Sequence, residues 1–515
     1  MLATAFAATL IGLDAHPVRV EVEAARGVAY FELVGLAEGA VRESRVRVKS
    51  ALAQVGVNLW EYRLIVNLAP ADVRKAGSGF DVALASAVLA ALGVVPLEAL
   101  EGVLFVGELS LTGAIHAVRG VLPQLVGAKH RGFSRAIVPR DNGGEAGLVG
   151  GMDVRTVASL AELVLSLKGE GELPRAVGMR PLPPAANMDD LSDVRGQHSA
   201  RRALEIAAAG GHNLLMIGPP GAGKTMLARR VPGLLPPLES EEALEVLAIH
   251  SVAGLLTGAA GGYRTRPFRA PHHTVSEVGL VGGGDGPRPG EVSLAHNGVL
   301  FLDELAEFRR SALEALRQPL EDGLVTISRA QAKATFPARP LVVAAMNPCA
   351  CGYKGDGTDR CHCSPERVRA YRARLSGPLL DRIDVHVVLP PVSVTALQSG
   401  KGGEASHAVR MRVERARGVQ RERLLAKEVL FPTNSGLRPR DLDRVASLCD
   451  AGLRLIGAAV TKLSLSARAY GKVLRVARTI ADLDGATAIL PAHVAEAIGY
   501  RVLDRGPSAA AASAA

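Results

Sequence analysis

The sequence predicts an α/β protein of about three domains, and three observations carry that prediction. The first third alternates strand-like and helical stretches. The middle holds an apolar strand, a glycine-rich loop and a helix in immediate succession, the pattern of a phosphate-binding turn. The last part reads as helical and basic. A chain of 515 residues also exceeds what one core usually serves.

Residues 1–170 form the first unit. HPVRVEVEA, YRLIVNLAP, GVLFVGELSL and RAIVPRDN read as strands, and AVRESRVRVKSALAQVG, FDVALASAVLAALG and LPQLVGAKHRG as helices. The opening MLATAFAATLIGLDAHPVRV is apolar but lacks a basic start and runs into the alternating VRVEVE. A folded segment is expected there, not a signal peptide. Residues 171–190 mix proline, glycine and charge without a period, as a linker does. Residues 191–392 carry the chemistry. Residues 393–505 are helical, with basic stretches such as VRMRVERARGVQRERLLAK, and 506–515 (GPSAAAASAA) are a low-complexity tail expected to be disordered.

Hydrophobic residues at 48% and charged residues at 22% make an ordinary globular composition. Apolar runs break well before ~18 residues, so no membrane span is expected. A formal charge of +9 suits a polyanionic partner such as nucleic acid, although many soluble proteins are mildly basic. Aromatics at 3% argue against base stacking as the main mode of contact. Few cysteines, and those clustered, suit a reducing cytoplasm better than a disulfide framework.

The stretch GPPGAGKT fits a phosphate loop at every fixed position. It comprises Gly218, Pro219, Pro220, Gly221, Ala222, Gly223, Lys224 and Thr225, between the strand-like NLLMIG and the helical MLARRVPG. The glycines let backbone N–H groups face phosphates, Lys224 would reach the β- and γ-phosphates of ATP, and Thr225 would ligate Mg²⁺. VLFLDE supplies the acids. Asp303 would hold Mg²⁺ and Glu304 would polarise the attacking water, although an acidic pair can also simply cap a helix. LVVAAMN ends in Asn347, positioned to orient that water. Arg382, in LSGPLLDRIDV, is a candidate finger toward a neighbour's γ-phosphate or else one half of an ion pair with Asp381 or Asp384.

Four of the five cysteines fall in MNPCACGYKGDGTDRCHCSP, as C-x-C-x9-C-x-C. Cys349, Cys351, Cys361 and Cys363 could fill a tetrahedral Zn²⁺ site of structural type, with unliganded thiols as the other possibility. His362 could stand in for one of them. The adjacent His272 and His273 are expected to point apart and to shape a loop, not to bind metal.

These residues together resemble the ComM/YifB family of magnesium-chelatase-like AAA+ ATPases. The likeness extends over nearly the whole chain, most specifically through VNLAPADVRKAGSGFD, GGHNLLMIGPPGAGKTMLARR, FRAPHHTVSEVGLVGGG, PRPGEVSLAHNGVLFLDELAEF, AAMNPCACGYKG and LSGPLLDRIDVHV. The resemblance implies Walker A roles for Lys224 and Thr225, Walker B roles for Asp303 and Glu304, sensor 1 for Asn347 and the finger for Arg382. LSLSARAYGKVLRVARTIADL resembles the sensor 2 helix, with Arg468 as sensor, in a lid folded over the nucleotide. It further implies a ring, most often a hexamer, and branch migration on DNA recombination intermediates during natural transformation. The alternative is a chelatase-type motor driving metal insertion through partner proteins. Two insertions go with this branch. One is FRAPHHTVSEVGLVGGGDGPRPG. The other is the hairpin EDGLVTISRAQAKATFPA, whose Arg329 and Lys333 either touch a phosphate backbone or are simply solvated.

KAGSGFDVALASAV and GELSLTGAIHAVRGVLPQLVGAKHRG resemble the proteolytic domain of Lon, which uses a Ser–Lys dyad. The serine position falls on Gly79 and the lysine position on Leu122. Ser78, Lys75 and Lys129 lie near but displaced, so a Lon-like fold without peptidase chemistry is expected. Arg42, Arg45, Arg47 and Lys49 on AVRESRVRVKSAL form a candidate phosphate-facing surface.

Overall fold

The first 170 residues build one mixed sheet. Its strands are β1 (Leu2–Ile11), β2 (Asp14–Arg26), β3 (Tyr30–Val34), β4 (Tyr62–Ala69) and β5 (Val103–Phe105), then, past a short hairpin of β6 (Glu108–Leu109) and β7 (Ile115–His116), β8 (Arg135–Pro139) and β9 (Asp153–Val157). The order is β3-β4-β2-β1-β5-β8-β9. The apolar opening thus becomes β1, paired along its length with β2. The structure, a computed structural model, describes all residues except 36–38, 76, 78, 180–188, 257–263, 285, 330–331, 393–397, 399–401, 464, 502 and 504–515, and omits the side chains of 40, 42, 329 and 332. Ser78, the tail, part of the linker and the side chains of Arg42 and Arg329 therefore lie outside the described residues.

The helix Asp81–Ala91 is buried at every position, which its run of alanine, valine and leucine allows. Its one charge needs a partner, and Arg47 provides it, with Nε 2.6 Å from Asp81 Oδ2 and Nη2 3.1 Å from Oδ1. Burial raises the Asp81 pKa, while Arg47, Ser44 and the Leu109 amide oppose the rise. Arg47 is therefore spent inside the domain and does not belong to a phosphate-facing surface.

The central unit is a parallel sheet of β10 (Leu214–Ile217), β11 (Phe268–Arg269), β14 (Val299–Leu302), β17 (Leu341–Met346) and β18 (Val385–Val388), in the order β11-β14-β17-β10-β18. Two antiparallel pairs lie beside it, β12 (Gly282–Gly283) with β13 (Arg288–Pro289) and β15 (Leu324–Arg329) with β16 (Ala332–Pro337). Every residue of β10, β14 and β17 is buried. Layers on both faces require such unbroken apolar strands. On one face the helices His198–Gly210 and Lys224–Leu234 share a core with the C-terminal helices Ser406–Leu425 and Ala467–Leu483. On the other, Leu280, Leu302 and Leu305 pack with Val325, Ile327 and Phe336 of the β15–β16 hairpin.

The N-terminal sheet is joined to this unit. Gly120 N–H donates to the Ser251 carbonyl at 3.1 Å, and Ser251 Oγ donates to the buried Glu145. The β1–β2 turn meets the hairpin at Gly12, where φ is 67° and a Cβ would lie 3.2 Å from Ala334 Cβ. Among the described residues no helix is long and apolar enough to cross a membrane.

Candidate nucleotide site

In a parallel sheet, ligands gather where strands end, because loops there carry helix N-termini. The loop 218–223 leaves the end of β10 and enters the helix Lys224–Leu234 through Gly223. Gly221 and Gly223 have φ of 80° and 89°, and a Cβ at either would meet open space. Gly218 is confined instead: a Cβ there would sit 2.9 Å from the Leu389 carbonyl. The loop is thus anchored at its start and open where phosphates would lie.

Lys224 Nζ donates to the carbonyls of Gly218 (2.7 Å) and Pro219 (3.0 Å) and to Asn347 Oδ1 (3.1 Å). Burial lowers its pKa, with Asp303 and Glu304 pulling the other way. Thr225 Oγ1 donates to Asp303 Oδ2 at 2.7 Å. Three strand ends therefore converge: β10 through the loop, β14 through Asp303 and Glu304, and β17 through Asn347. Glu304 adopts φ 51°, unusual for a residue with a Cβ, and its N–H donates to Asp303 Oδ1 at 2.9 Å. Two further groups belong to the setting. Gln197 Nε2 donates to the carbonyls of Ala222 (3.1 Å) and Pro390 (2.8 Å), tying the loop to the exit of β18. His273 Nδ1 lies 3.2 Å from Glu304 Oε2. Its ring lies beside that of His272, 4.0 Å between centroids and tilted by 34°, so the two histidines do not diverge as expected.

Arg382 and Arg468 are not brought to this loop. A cavity of about 1040 Å³ opens at the opposite edge of the sheet, lined by Asn213, Gly298, Leu341 and Asp384, where strands begin, and by Arg382 and Arg468. Arg468 is largely exposed, with Nη1 3.8 Å from Asp381 Oδ2. Arg382 pairs with Glu321, not with Asp381 or Asp384, and donates to the Arg317 and Pro378 carbonyls at 3.0 and 2.7 Å. The end of the C-terminal helix that bears Arg468 thus faces away from the chain's own phosphate loop, contrary to a lid folded over it. Its inner end is fixed by a buried cluster: His212 Nε2 meets Thr479 Oγ1 at 2.8 Å, and Lys472 Nζ lies 3.2 Å from Asp384 Oδ1. Lys472 and His212 hold Asp384 below the usual carboxylate range despite its burial.

The Sγ atoms of Cys349, Cys351, Cys361 and Cys363 lie within 4.8 Å of one another. The separations between Cys349, Cys351 and Cys361 are 3.3, 3.8 and 3.6 Å. A tetrahedral Zn²⁺ with bonds of ~2.3 Å has edges of roughly 3.8 Å, so the donor set fits that ion. Burial of Cys349 opposes ionisation, but Cys351 and the amides of Lys354 and Gly352 outweigh it and bring the thiol down to about 6. The cluster touches the nucleotide loop, since a Cβ on Gly352 would lie 3.0 Å from Pro220. On the hairpin, Lys333 is exposed. In the N-terminal domain Leu122 is fully buried, and the Lys75 ammonium is buried against the Pro70 carbonyl. The two dyad positions, Gly79 and Leu122, therefore hold neither a nucleophile nor a base.

Comparison with known proteins agrees along the chain. Residues 190–397 match the family described as magnesium chelatase, subunit ChlI; residues 20–142 match subunit ChlI of Mg-chelatase, and 403–501 its C-terminal part. Competence protein ComM of Haemophilus influenzae is 43% identical over 512 residues, 98% of each chain. The uncharacterized protein YifB of Escherichia coli is 42% identical over 497 residues, 96% of each. Lon protease 2 of Bacillus subtilis is 25% identical over 122 residues, 22% of each.

Proposed function

The chain belongs to the ComM/YifB family of magnesium-chelatase-like proteins, and from that premise we propose a ring-forming AAA+ ATPase that converts ATP hydrolysis into movement on DNA. The observation that carries the ATPase is the convergence of Lys224, Thr225, Asp303 and Asn347 on one glycine loop. Gly218 to Gly223 and Lys224 bind the triphosphate, Glu304 takes the proton of the attacking water, and Asn347 orients that water. Thr225 and Asp303 would hold Mg²⁺. Their oxygens, 2.7 Å apart, match the spacing of about 3 Å between adjacent Mg²⁺ ligands. The ion would neutralise charge between the β- and γ-phosphates.

Arg382 and Arg468 act on the nucleotide of a neighbouring copy, which makes the assembly a homo-oligomer, a hexamer on family likeness. Residues 1–170 are a Lon-like domain without peptidase chemistry, 191–392 the ATPase domain and 393–505 the helical domain, with 171–190 a linker and 506–515 a tail. The DNA partner is supported by the name of the Haemophilus relative, the net charge of +9 and exposed Lys333 on the hairpin. By the same likeness the movement is branch migration during natural transformation, in the cytoplasm, where free thiols persist. The family description favours a second possibility, a motor for metal insertion through partner proteins.

ATP-dependent strand displacement on a labelled three-stranded junction separates them. The native protein is expected to displace the strand and Lys224→Ala to fail. Hydrolysis without displacement, indifferent to any DNA, would leave the chelatase motor standing.

Zn²⁺ is proposed as a structural ion at the four cysteines, bracing the loop against Pro220. Metal analysis of purified protein should find about one zinc per chain. A Cys361→Ser, Cys363→Ser double variant should lose it and bind ATP more weakly. Full ATP affinity without zinc would remove the bracing role.

A further inference from the structure

The N-terminal sheet ends on β3, whose outer side has no neighbouring strand among the described residues. At this edge stands Trp60, the only tryptophan of the chain, 67% exposed. We propose that the edge holds a single strand of DNA, with Trp60 as a platform for a base and Lys49 and Arg45 as phosphate contacts. DNA as the partner is taken from the proposal above; the place is new and lies outside the ATPase machinery.

The local sequence builds the platform. Leu59 is buried in the domain core, and the next residue is left in water. The Trp60 N–H donates to Asn58 Oδ1 at 3.3 Å, and the Tyr62 N–H to the Leu59 carbonyl at 3.3 Å. The Gly27 N–H donates to the Glu61 carbonyl at 2.9 Å, tying the turn to the end of β2. The turn is thus held on both sides of Trp60, so little ordering is left to do when a base arrives.

Cations flank the ring. Lys49 Nζ lies 4.6 Å from its centre. One turn earlier on the helix Gly39–Gln54, Arg45 reaches the Phe31 carbonyl of β3 at 3.4 Å, a long bond. Both side chains are exposed. Like charges four apart on a helix repel, and no acid relieves them here. Glu43, on the same helix, lies 4.0 Å from Arg47 instead, and among the described residues neither Arg45 nor Lys49 enters an ion pair. The arrangement repeats beyond them. Arg63 and Tyr30 are register partners on β4 and β3, with the guanidinium 5.8 Å from the ring centre. Trp60 precedes Arg63 by three residues, so their Cα atoms are at most about 11 Å apart. The acids of this edge do not cancel the charge: Glu32 accepts from the Tyr30 hydroxyl, which leaves the exposed Glu61 against three cations. Aromatic faces alternating with cations are what binds single strands without regard to sequence, bases on the rings and phosphates on the charges.

Because Trp60 has no other tryptophan beside it, its fluorescence reports this edge alone. Oligothymidylate of about 15 nucleotides is titrated into native protein without ATP, following tryptophan emission and the anisotropy of a labelled strand. Emission is expected to fall along the same curve on which anisotropy rises. An abasic strand of equal length, which has phosphates and no bases, should quench little. Trp60→Ala should weaken binding roughly five- to hundredfold, and Trp60→Phe should keep most of it. Arg45→Gln with Lys49→Gln should flatten the slope of log K against log salt by about 1.4, near 0.7 for each cation lost. Lys224→Ala leaves this edge intact and should quench as native protein does. Three results would each overturn the inference while the DNA motor stands: anisotropy that rises with emission unchanged, an abasic strand that quenches as strongly as oligothymidylate, or Trp60→Ala protein of native thermal midpoint that binds as tightly as native. No anisotropy change with any strand or junction would sink the DNA partner as well.

Discussion

Glu304→Gln is expected to lower kcat for ATP hydrolysis by roughly 10²- to 10⁴-fold, the usual worth of a general base, while ATP still binds. Glutamine has the same shape, so the φ of 51° at this position and the backbone bond to Asp303 Oδ1 persist. The groups that would grip the nucleotide are other residues. Lys224 is held by Gly218, Pro219 and Asn347, and Thr225 by Asp303, none of which the substitution touches. Lys224→Ala should instead lose binding, since it removes the cation that meets the phosphates. Fluorescent-nucleotide titration beside phosphate release separates the two outcomes. Hydrolysis by Glu304→Gln within about twofold of native would show that another group takes the proton.

How much of this site was legible depends on the distance over which each feature is determined. GPPGAGKT and VLFLDE could be read locally, because strand, loop and helix follow one another within a few residues. LLMI, VLFL and LVVAAM could also be read as buried strands, since their apolar runs have no polar face to give to water. Arg47 could not be read correctly. Its helix has the charge pattern of a solvated face, and its partner Asp81 lies 34 residues further on. His273 was misread for a different reason. Divergence of neighbours holds for extended backbone, but here the Val275 N–H turns back to the His272 carbonyl and the rings come together. The cysteine pattern gave the donor set, but only the fold brings Gly352 against Pro220. Arg382 and Arg468 could be picked out as candidates, but their place could not. It depends on how the helix Ala467–Leu483 packs on His198–Gly210 and on the His212, Thr479 and Lys472 contacts beneath it.

That placement leads to the other large effect. Arg382→Ala is expected to reduce ATP hydrolysis on the order of 10³-fold, as loss of an arginine finger does, without weakening ATP binding to the same chain. The phosphate loop lies at the ends of the strands and Arg382 at their beginnings, so if Arg382 is the finger it must come from a neighbouring copy. Two dead variants should therefore rescue one another. An Arg382→Ala subunit retains Lys224, a Lys224→Ala subunit retains Arg382, and an interface with the first as nucleotide holder and the second as finger donor is whole. Random mixing in a head-to-tail ring makes about a quarter of the interfaces of this kind, so mixed rings should recover up to that share of native turnover. Arg468→Ala mixed with Lys224→Ala should behave likewise, because Arg468 lines the same cavity. Arg382 must first leave Glu321, which pairs with it here, so Glu321→Ala should not impair the finger. If co-assembled rings of the two variants stay inactive, Arg382 does not act across the interface. Recovery with Arg382 variants and none with Arg468 variants would assign transition-state contact to Arg382 alone and leave Arg468 with its ion pair to Asp381.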